Sequence, residues 1–299
     1  MSVSVVACPR NQRRKTQHAA LRGGVVVCTQ LRKTLSIIVM DDSTSLTHQP
    51  AVRQAATIVI TRERHGQKPQ LLCLQRAKTM AFAAGALVFP GGAVDPDDLH
   101  IASIVPHDLT LDEAAARIAA IRECIEECGL AIGLTGLSSD ILPVLRQELN
   151  QHQPFSQLLA AHNLQLSLNA LEPFARWQPS GRNMAQRIYD TRFYLARAPH
   201  GQDASVDETE NIDLLWRSAD DILALCDAGN AHIIFPTRRN LERLAPWESH
   251  EAMMAHLSAF PVEKIIPWIE DRDGEKHLCI PDHLGYPITS EPLGRAQRG

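Results

Sequence analysis

Arg122-Glu123-Cys124-Ile125-Glu126-Glu127-Cys128-Gly129-Leu130 is the stretch on which the reading of this chain turns. A helix advances about 100° per residue, so Glu123, Glu126 and Glu127 fall within roughly 100° of arc. Ile118, Ile121, Cys124, Ile125 and Cys128 group on the opposite side, and Arg122 lies at the edge of the acidic arc beside Glu126. Three carboxylates on one face repel one another unless a cation sits among them. Hard divalent ions take oxygen ligands, and Mg²⁺ combines a few carboxylates with substrate phosphates. The pattern predicts a metal-charged helix that ends at Gly129, a residue suited to the left-handed turn after a helix. A solvated acidic helix face is the plainer alternative.

The run upstream narrows the choice. Ala86-Leu87-Val88-Phe89-Pro90-Gly91-Gly92 reads as a short strand entering a tight turn, where Gly91 and Gly92 let backbone approach a metal or phosphate. Phe-Pro-Gly-Gly followed by the Arg-Glu helix resembles the Nudix box. The resemblance implies an α/β fold, an α/β/α sandwich with a mixed sheet. It also implies a metal-dependent diphosphatase, a hydrolase acting on acid anhydrides that uses Mg²⁺ or Mn²⁺. Glu123, Glu126 and Glu127 are the implied metal ligands, with Glu126 either ligand or base. Arg122 would hold the carboxylates in place, Glu210 is a second candidate base, and Gly91 and Gly92 would line the substrate.

The box departs from the family pattern in one place. Where a glutamate is expected after Gly92 the chain has Asp98, and Arg122 arrives late. The segment Val94 to Leu111 is therefore read as an insertion, and Asp95, Pro96, Asp97, Asp98 and Pro106 suit a surface loop. Leu111 should open the helix, with Thr110 as N-cap and Glu113 at the capping-box position. Glu113 is also a candidate replacement for the displaced box glutamate.

A split box preceded by Arg76 and Gly85 resembles the long-insertion branch of coenzyme A diphosphatases, and Phe82 agrees with that branch. Arg76 then becomes a candidate for binding substrate; a surface arginine closing a strand is the alternative. Met80 and Ala81 stand where many of those enzymes carry Leu-Arg, which removes one cation from the expected phosphate contacts. The implied substrate is a nucleoside diphosphate derivative, with coenzyme A or acyl-coenzyme A first, cleaved to two monophosphates. NADH or a nucleotide sugar, or a non-catalytic nucleotide sensor, are the other readings.

With 299 residues and 44% hydrophobic content, the chain can bury one large core or two modest ones. A net charge of −4 gives no sign of a nucleic-acid surface. Seven cysteines, an odd number with no Cys-x-x-Cys pair, fit a reducing compartment better than a disulfide framework. Cys124 and Cys128 read as small core residues rather than zinc ligands, and the scattered histidines, His107, His152 and His256 among them, do not read as ligands. No apolar run reaches the length of a membrane span.

Residues 1–50 differ from the remainder. From Met1 to Met40 there are seven basic residues (Arg10, Arg13, Arg14, Lys15, Arg22, Arg32, Lys33) and no acidic one. An organelle transit peptide has that bias, but no sustained amphipathic helix accompanies it, so a disordered or non-native extension is the preferred reading. A cytoplasmic enzyme is the default. Residues 51–245 read as the Nudix domain. Ala56 to Ile60 and Gln70 to Gln75 form a hairpin in this reading. A helical insertion follows Gly129, caps a helix at Asp140 and runs on to Trp177, either covering the substrate cleft or making a dimer contact. Arg187 to Ala196 and Leu214 to Trp216 are strands, Ser218 caps a helix to Cys226, and Pro236 opens another. Asp207, Glu208 and Glu210 form an acidic approach to Trp216. Residues 246–299 read as a helix and a hairpin turning at Asp271-Arg272-Asp273-Gly274, and the C-terminal Gln297-Arg298-Gly299 is no peroxisomal address.

Overall fold

A computed structural model describes residues 51–79, 83–138, 140–180, 188–206 and 210–296. The readings for 1–50, Met80 to Phe82, Arg187, Asp207, Glu208 and 297–299 lie outside the described residues.

Strand β1 (Val52–Arg62) is the spine. Its alternation sends Ala56, Ile58 and Ile60 to one apolar cluster and Val59 to another, so both faces of the sheet are covered. Strand β2 (Gln70–Arg76) divides in the same way, Leu72 and Leu74 against Leu71 and Cys73. The two strands do form a hairpin, but they pair only at Thr61–Leu71 and Arg62–Gln70. β1 diverges from there to take other partners. Short β3 (Leu87–Val88) pairs with β2, and β4 (Gly91–Ala93) pairs antiparallel with β1.

The segment read as a surface loop is instead helix α1 (Pro96–Ile104). Asp95 and Asp98 close a reciprocal capping box around its first turn, and Pro96 sits at N1. Asp, Pro and Asp are loop residues by composition, but the same types start helices, which is why the loop reading failed.

Helix α2 (Leu111–Cys128) carries the acidic face. Its alanines favour helix, and Ala114, Ala115, Ala116, Ile118, Ile121, Cys124, Ile125 and Cys128 are fully buried. Thr110 accepts a bond from the Glu113 amide, but the Glu113 carboxylate turns to Arg117 (3.0 Å) and Arg192 (3.2 Å) rather than back to the cap. Glu113 therefore does not replace the box glutamate. At the far end Gly129 adopts φ 68°, and its amide bonds Ile125 O, the left-handed ending of a helix on a glycine.

Beyond Gly129 come β5 (Leu134–Thr135), α3 (Ile141–Asn150), α4 (Phe155–Ala161) and β6 (Gln165–Leu166), with β5 and β6 pairing as a small ribbon. The expectation of helix through Trp177 fails at β7 (Glu172–Trp177), a strand of the main sheet. Pro173 removes a helical donor, and Phe174, Ala175 and Trp177 are all buried against strand β8 (Ile188–Arg197). β8 runs parallel to β1 over ten residue pairs. β9 (Asn211–Ser218) lies antiparallel to β2.

Ser218 caps α5 (Ala219–Asp227) through the Asp221 amide, and α6 (Phe235–Leu244) and α7 (His250–Ser258) follow. β10 (Lys264–Ile265) extends the main sheet beside β7. β11 (Trp268–Arg272) and β12 (Glu275–Cys279) form the hairpin on a two-residue turn, with Asp273 and Gly274 both at positive φ. β13 (Ser290–Pro292) completes that three-stranded sheet, and α8 (Leu293–Ala296) ends the described chain. Helices α1 to α4 cover one face of the eight-stranded mixed sheet. Helices α5 to α7 and the tail residues Ile265, Ile280, Leu284 and Tyr286 cover the other. This is an α/β/α sandwich.

Candidate active site

The site is assembled on α2, β4, the end of β2 and the start of β9. Arg122 is its hub. The guanidinium grips Asp98 with two bonds, Nε to Oδ1 (3.1 Å) and Nη2 to Oδ2 (3.0 Å). Nη1 donates to Glu123 (2.9 Å) and to Glu126 (3.0 Å), and Nη2 also reaches Ala93 O (3.0 Å). Asp98, fully buried, thus does from α1 what the expected glutamate would do, and the insertion between them causes no loss of contact. A planar five-donor group can hold three carboxylates at once, which lysine cannot.

Glu127 is oriented differently. Its Oε2 accepts from the Gly91 amide (2.7 Å) and its Oε1 from Asn211 Nδ2 (3.2 Å). Arg76, at the end of β2, places Nη1 3.8 Å from Glu127 and Nη2 3.3 Å from Glu210. Arg76 is therefore no free surface arginine, and it joins Glu210 to the cluster. The two glycines serve separate needs. A Cβ on Gly91, at φ 155°, would lie 2.2 Å from Ala56 O, whereas a Cβ on Gly92 would lie 2.2 Å from the Glu123 carboxylate.

The electrostatics follow from burial. Desolvation is the main cause that lifts Glu123 to about 8, against Arg122 and helped by Glu126 and Glu127. Burial likewise lifts Glu127 to about 7, against the Gly91 and Asn211 hydrogen bonds and Arg76. Glu126 and Asp98 are also raised by burial, with Arg122 opposing it. Burial works to lower Arg122, but Glu123, Asp98 and Glu126 outweigh it and hold the guanidinium charged. The cluster is short of positive charge.

All eight site residues named from the sequence, Arg76, Gly91, Gly92, Arg122, Glu123, Glu126, Glu127 and Glu210, meet here. Among the described residues, no three His, Cys, Asp or Glu side chains are already placed to hold an ion together. The donors are all carboxylate oxygens, the type that Mg²⁺ and Mn²⁺ take, and they lack compensating charge. By donor chemistry the cluster fits such an ion. Sequence reasoning passed over Asn211, which is fully buried beside Glu127. Its signal was a lone amide opening a strand directly after Glu210. Cys124 and Cys128, with Sγ atoms 3.6 Å apart, are buried in the core and take no part. His107 bonds Ala102 O, and His256 stacks between Trp247 and Phe260, away from the cluster.

The site therefore sits in an α/β/α sandwich, on a carboxylate-faced helix held against a Gly-Gly strand. The NUDIX domain family matches residues 52–236, and the chain belongs to that family. It is 30% identical over 152 residues to an uncharacterized Nudix hydrolase, NudL, of Enterobacter sp. (strain 638), spanning 50% of this chain and 73% of that protein. Its fold is similar to the crystal structure of a NUDIX hydrolase from Alicyclobacillus acidocaldarius. The TM-score is 0.60 at 28% identity, covering 71% of this chain and 99% of the other. Among the described residues, no helix is long and apolar enough to cross a membrane.

Proposed function

We propose that the chain cleaves the diphosphate linkage of a nucleoside diphosphate derivative, coenzyme A or acyl-coenzyme A first among them, to two monophosphates. The observation that supports the chemistry is the set of buried Glu127 and partly buried Glu123 and Glu126 on one helix, with Glu127 against Gly91, Glu123 against Gly92 and Arg76 at the rim. Glu123, Glu126 and Glu127 would hold Mg²⁺ or Mn²⁺. When bound, such an ion neutralises the diphosphate oxygens and lowers the pKa of an attacking water.

The chain's own groups do the rest. Arg122 aims Glu123 and Glu126 in a common direction, so that their order does not have to be created during reaction. The Gly91 amide and Asn211 hold Glu127. Arg76, the cation at the carboxylate edge, is placed to take a phosphate oxygen of the substrate. Glu210 beside it is placed to accept the proton of the attacking water. The coenzyme A assignment is supported by Arg76 reaching the cluster from the position its resemblance implied.

The test is a screen of coenzyme A, acyl-coenzyme A, NADH, nucleotide sugars and dinucleotide polyphosphates with Mg²⁺ or Mn²⁺, read by mass spectrometry. Release of 4′-phosphopantetheine and adenosine 3′,5′-bisphosphate supports the assignment. Cleavage of another diphosphate keeps the chemistry and removes coenzyme A. Intact cleavage by Glu127→Gln would overturn the catalytic scheme.

A further inference from the structure

The helices between Gly129 and β7 were left by the sequence as either a cover for the cleft or a dimer contact. Their packing supports a further role. Leu145 and Leu149 of α3 and Phe155 and Leu158 of α4 join Ile118, Ile121, Cys124 and Ile125 in one core, behind the carboxylate face of α2. α4 is also tied to α1: Asp97 accepts from the Ser156 amide (2.8 Å) and hydroxyl (2.6 Å), one residue from the Asp98 that grips Arg122.

From α3, Arg146 hydrogen-bonds the main chain of the last turn of α2. Arg146 donates Nε to Glu126 O (3.0 Å) and Nη2 to Glu127 O (3.1 Å), carbonyls that a helix end leaves without intrahelical donors. The same guanidinium donates to Ser205 through Oγ (2.6 Å) and O (2.9 Å). The Ser205 amide in turn bonds Cys128 O (3.1 Å). Ser205 lies in the chain that follows β8.

We propose that Arg146 is a positioning residue for the site, and that the helical insertion exists to deliver it. It binds the main chain of Glu126 and Glu127 and that of Ser205 with one rigid group. The last turn of α2, with Glu126 and Glu127, thereby keeps one position against the chain that follows β8. The cation at the helix C-terminus also opposes the partial negative charge there. Lysine cannot replace it, because a point charge lacks the fork that spans both elements. The inference rests on the metal-site reading for its effect on the ion, but not for the clamp itself.

The test compares Arg146→Gln, Arg146→Lys and, as a packing control, Leu149→Ala, a core change on the same helix. Hydrogen exchange reads the Ser205 and Leu130 amides, and calorimetry reads Mn²⁺ affinity without substrate. Arg146→Gln is expected to speed exchange at Ser205 and to weaken Mn²⁺ binding by about tenfold, the effect usual for groups that orient ligands. Arg146→Lys should not rescue either. Leu149→Ala should lower the melting temperature with Mn²⁺ affinity unchanged. If Arg146→Gln matches Leu149→Ala in both readouts, the proposal falls. A wild-type protein that binds no Mn²⁺ would remove the metal-site reading, and unchanged exchange at Ser205 in Arg146→Gln would still refute the clamp.

Discussion

Gly92→Ala is expected to separate function from folding. The added Cβ would lie 2.2 Å from Glu123 Oε1 and 2.4 Å from its Cδ. Ordinary contact begins near 3.5 Å, so the carboxylate must retreat by roughly 1 Å. The obstacle is the end of a flexible side chain, and Gly92 is not among the glycines at positive φ, so the backbone accepts alanine. Moving Glu123 forfeits its 2.9 Å bond from Arg122, but Asp98 and Glu126 still hold that guanidinium. The stability loss is expected to be about 1–2 kcal/mol. A misplacement of about 1 Å in a reacting constellation costs on the order of 10²-fold in rate. Steady-state kcat/KM with the best diphosphate substrate, beside a urea melt, measures both. Gly91→Ala is the contrast, because its Cβ would strike Ala56 O and Thr57 Cα of β1 at 2.2 and 2.6 Å, and backbone cannot step aside. That variant should lose about 3 kcal/mol of stability. Wild-type kcat/KM in Gly92→Ala would refute the placement of Glu123 in the catalytic cluster.

Other outcomes follow from the same contacts. Asp98→Ala leaves Arg122 buried without its bidentate partner and should cost about 3–5 kcal/mol by urea unfolding; a loss below about 1 kcal/mol would show the pair to be dispensable. Glu123 and Glu127 hold protons in the fold, near pKa 8 and 7, that an unfolded chain releases near 4.5. In EDTA the folded state therefore binds more protons between those values, and stability must fall as pH rises from about 5 to 8. Mn²⁺ should flatten that fall, and melts in EDTA that are level across the range would contradict the burial argument. Asp190 behaves oppositely. Burial would raise its pKa, but Arg176 and Lys264, each 2.7 Å away, bring it down from 3.8 to about 2. Its contribution is present above pH 4 and lost as pH falls to 2. It amounts to about 1–2 kcal/mol once screening at the half-exposed cations is allowed for. Asp190→Asn should remove that limb from an acid titration of stability.

Legibility varied with the range of the interaction. The α2 face, its Thr110 cap and its Gly129 ending were readable because each depends on residues within one or two turns. The short turn at Asp273-Gly274 was readable for the same reason. Helix α1 was misread because Asp95, Pro96 and Asp98 are at once loop formers and helix starters, and only packing against α2 and α4 chooses between them. β7 was misread because a register shift between Pro173 and Ala175 breaks its alternation, so that Phe174, Ala175 and Trp177 all join one apolar cluster. Its identity rests on β8, which is distant in sequence.

The sequence by itself determined the three carboxylates and the arginine on one helix face and the Gly-Gly turn before them, and those residues carried the resemblance to the Nudix box. Helical periodicity and donor type are local properties, and they suffice for that much. Only the tertiary structure decided which groups serve those carboxylates. Asp98 rather than Glu113 answers Arg122, Asn211 and Arg76 meet Glu127 from two other strands, and Arg146 holds the helix end from an insertion. Each of those contacts closes a loop of chain whose ends are brought together by burying apolar faces of the sheet, and that burial depends on the whole core at once.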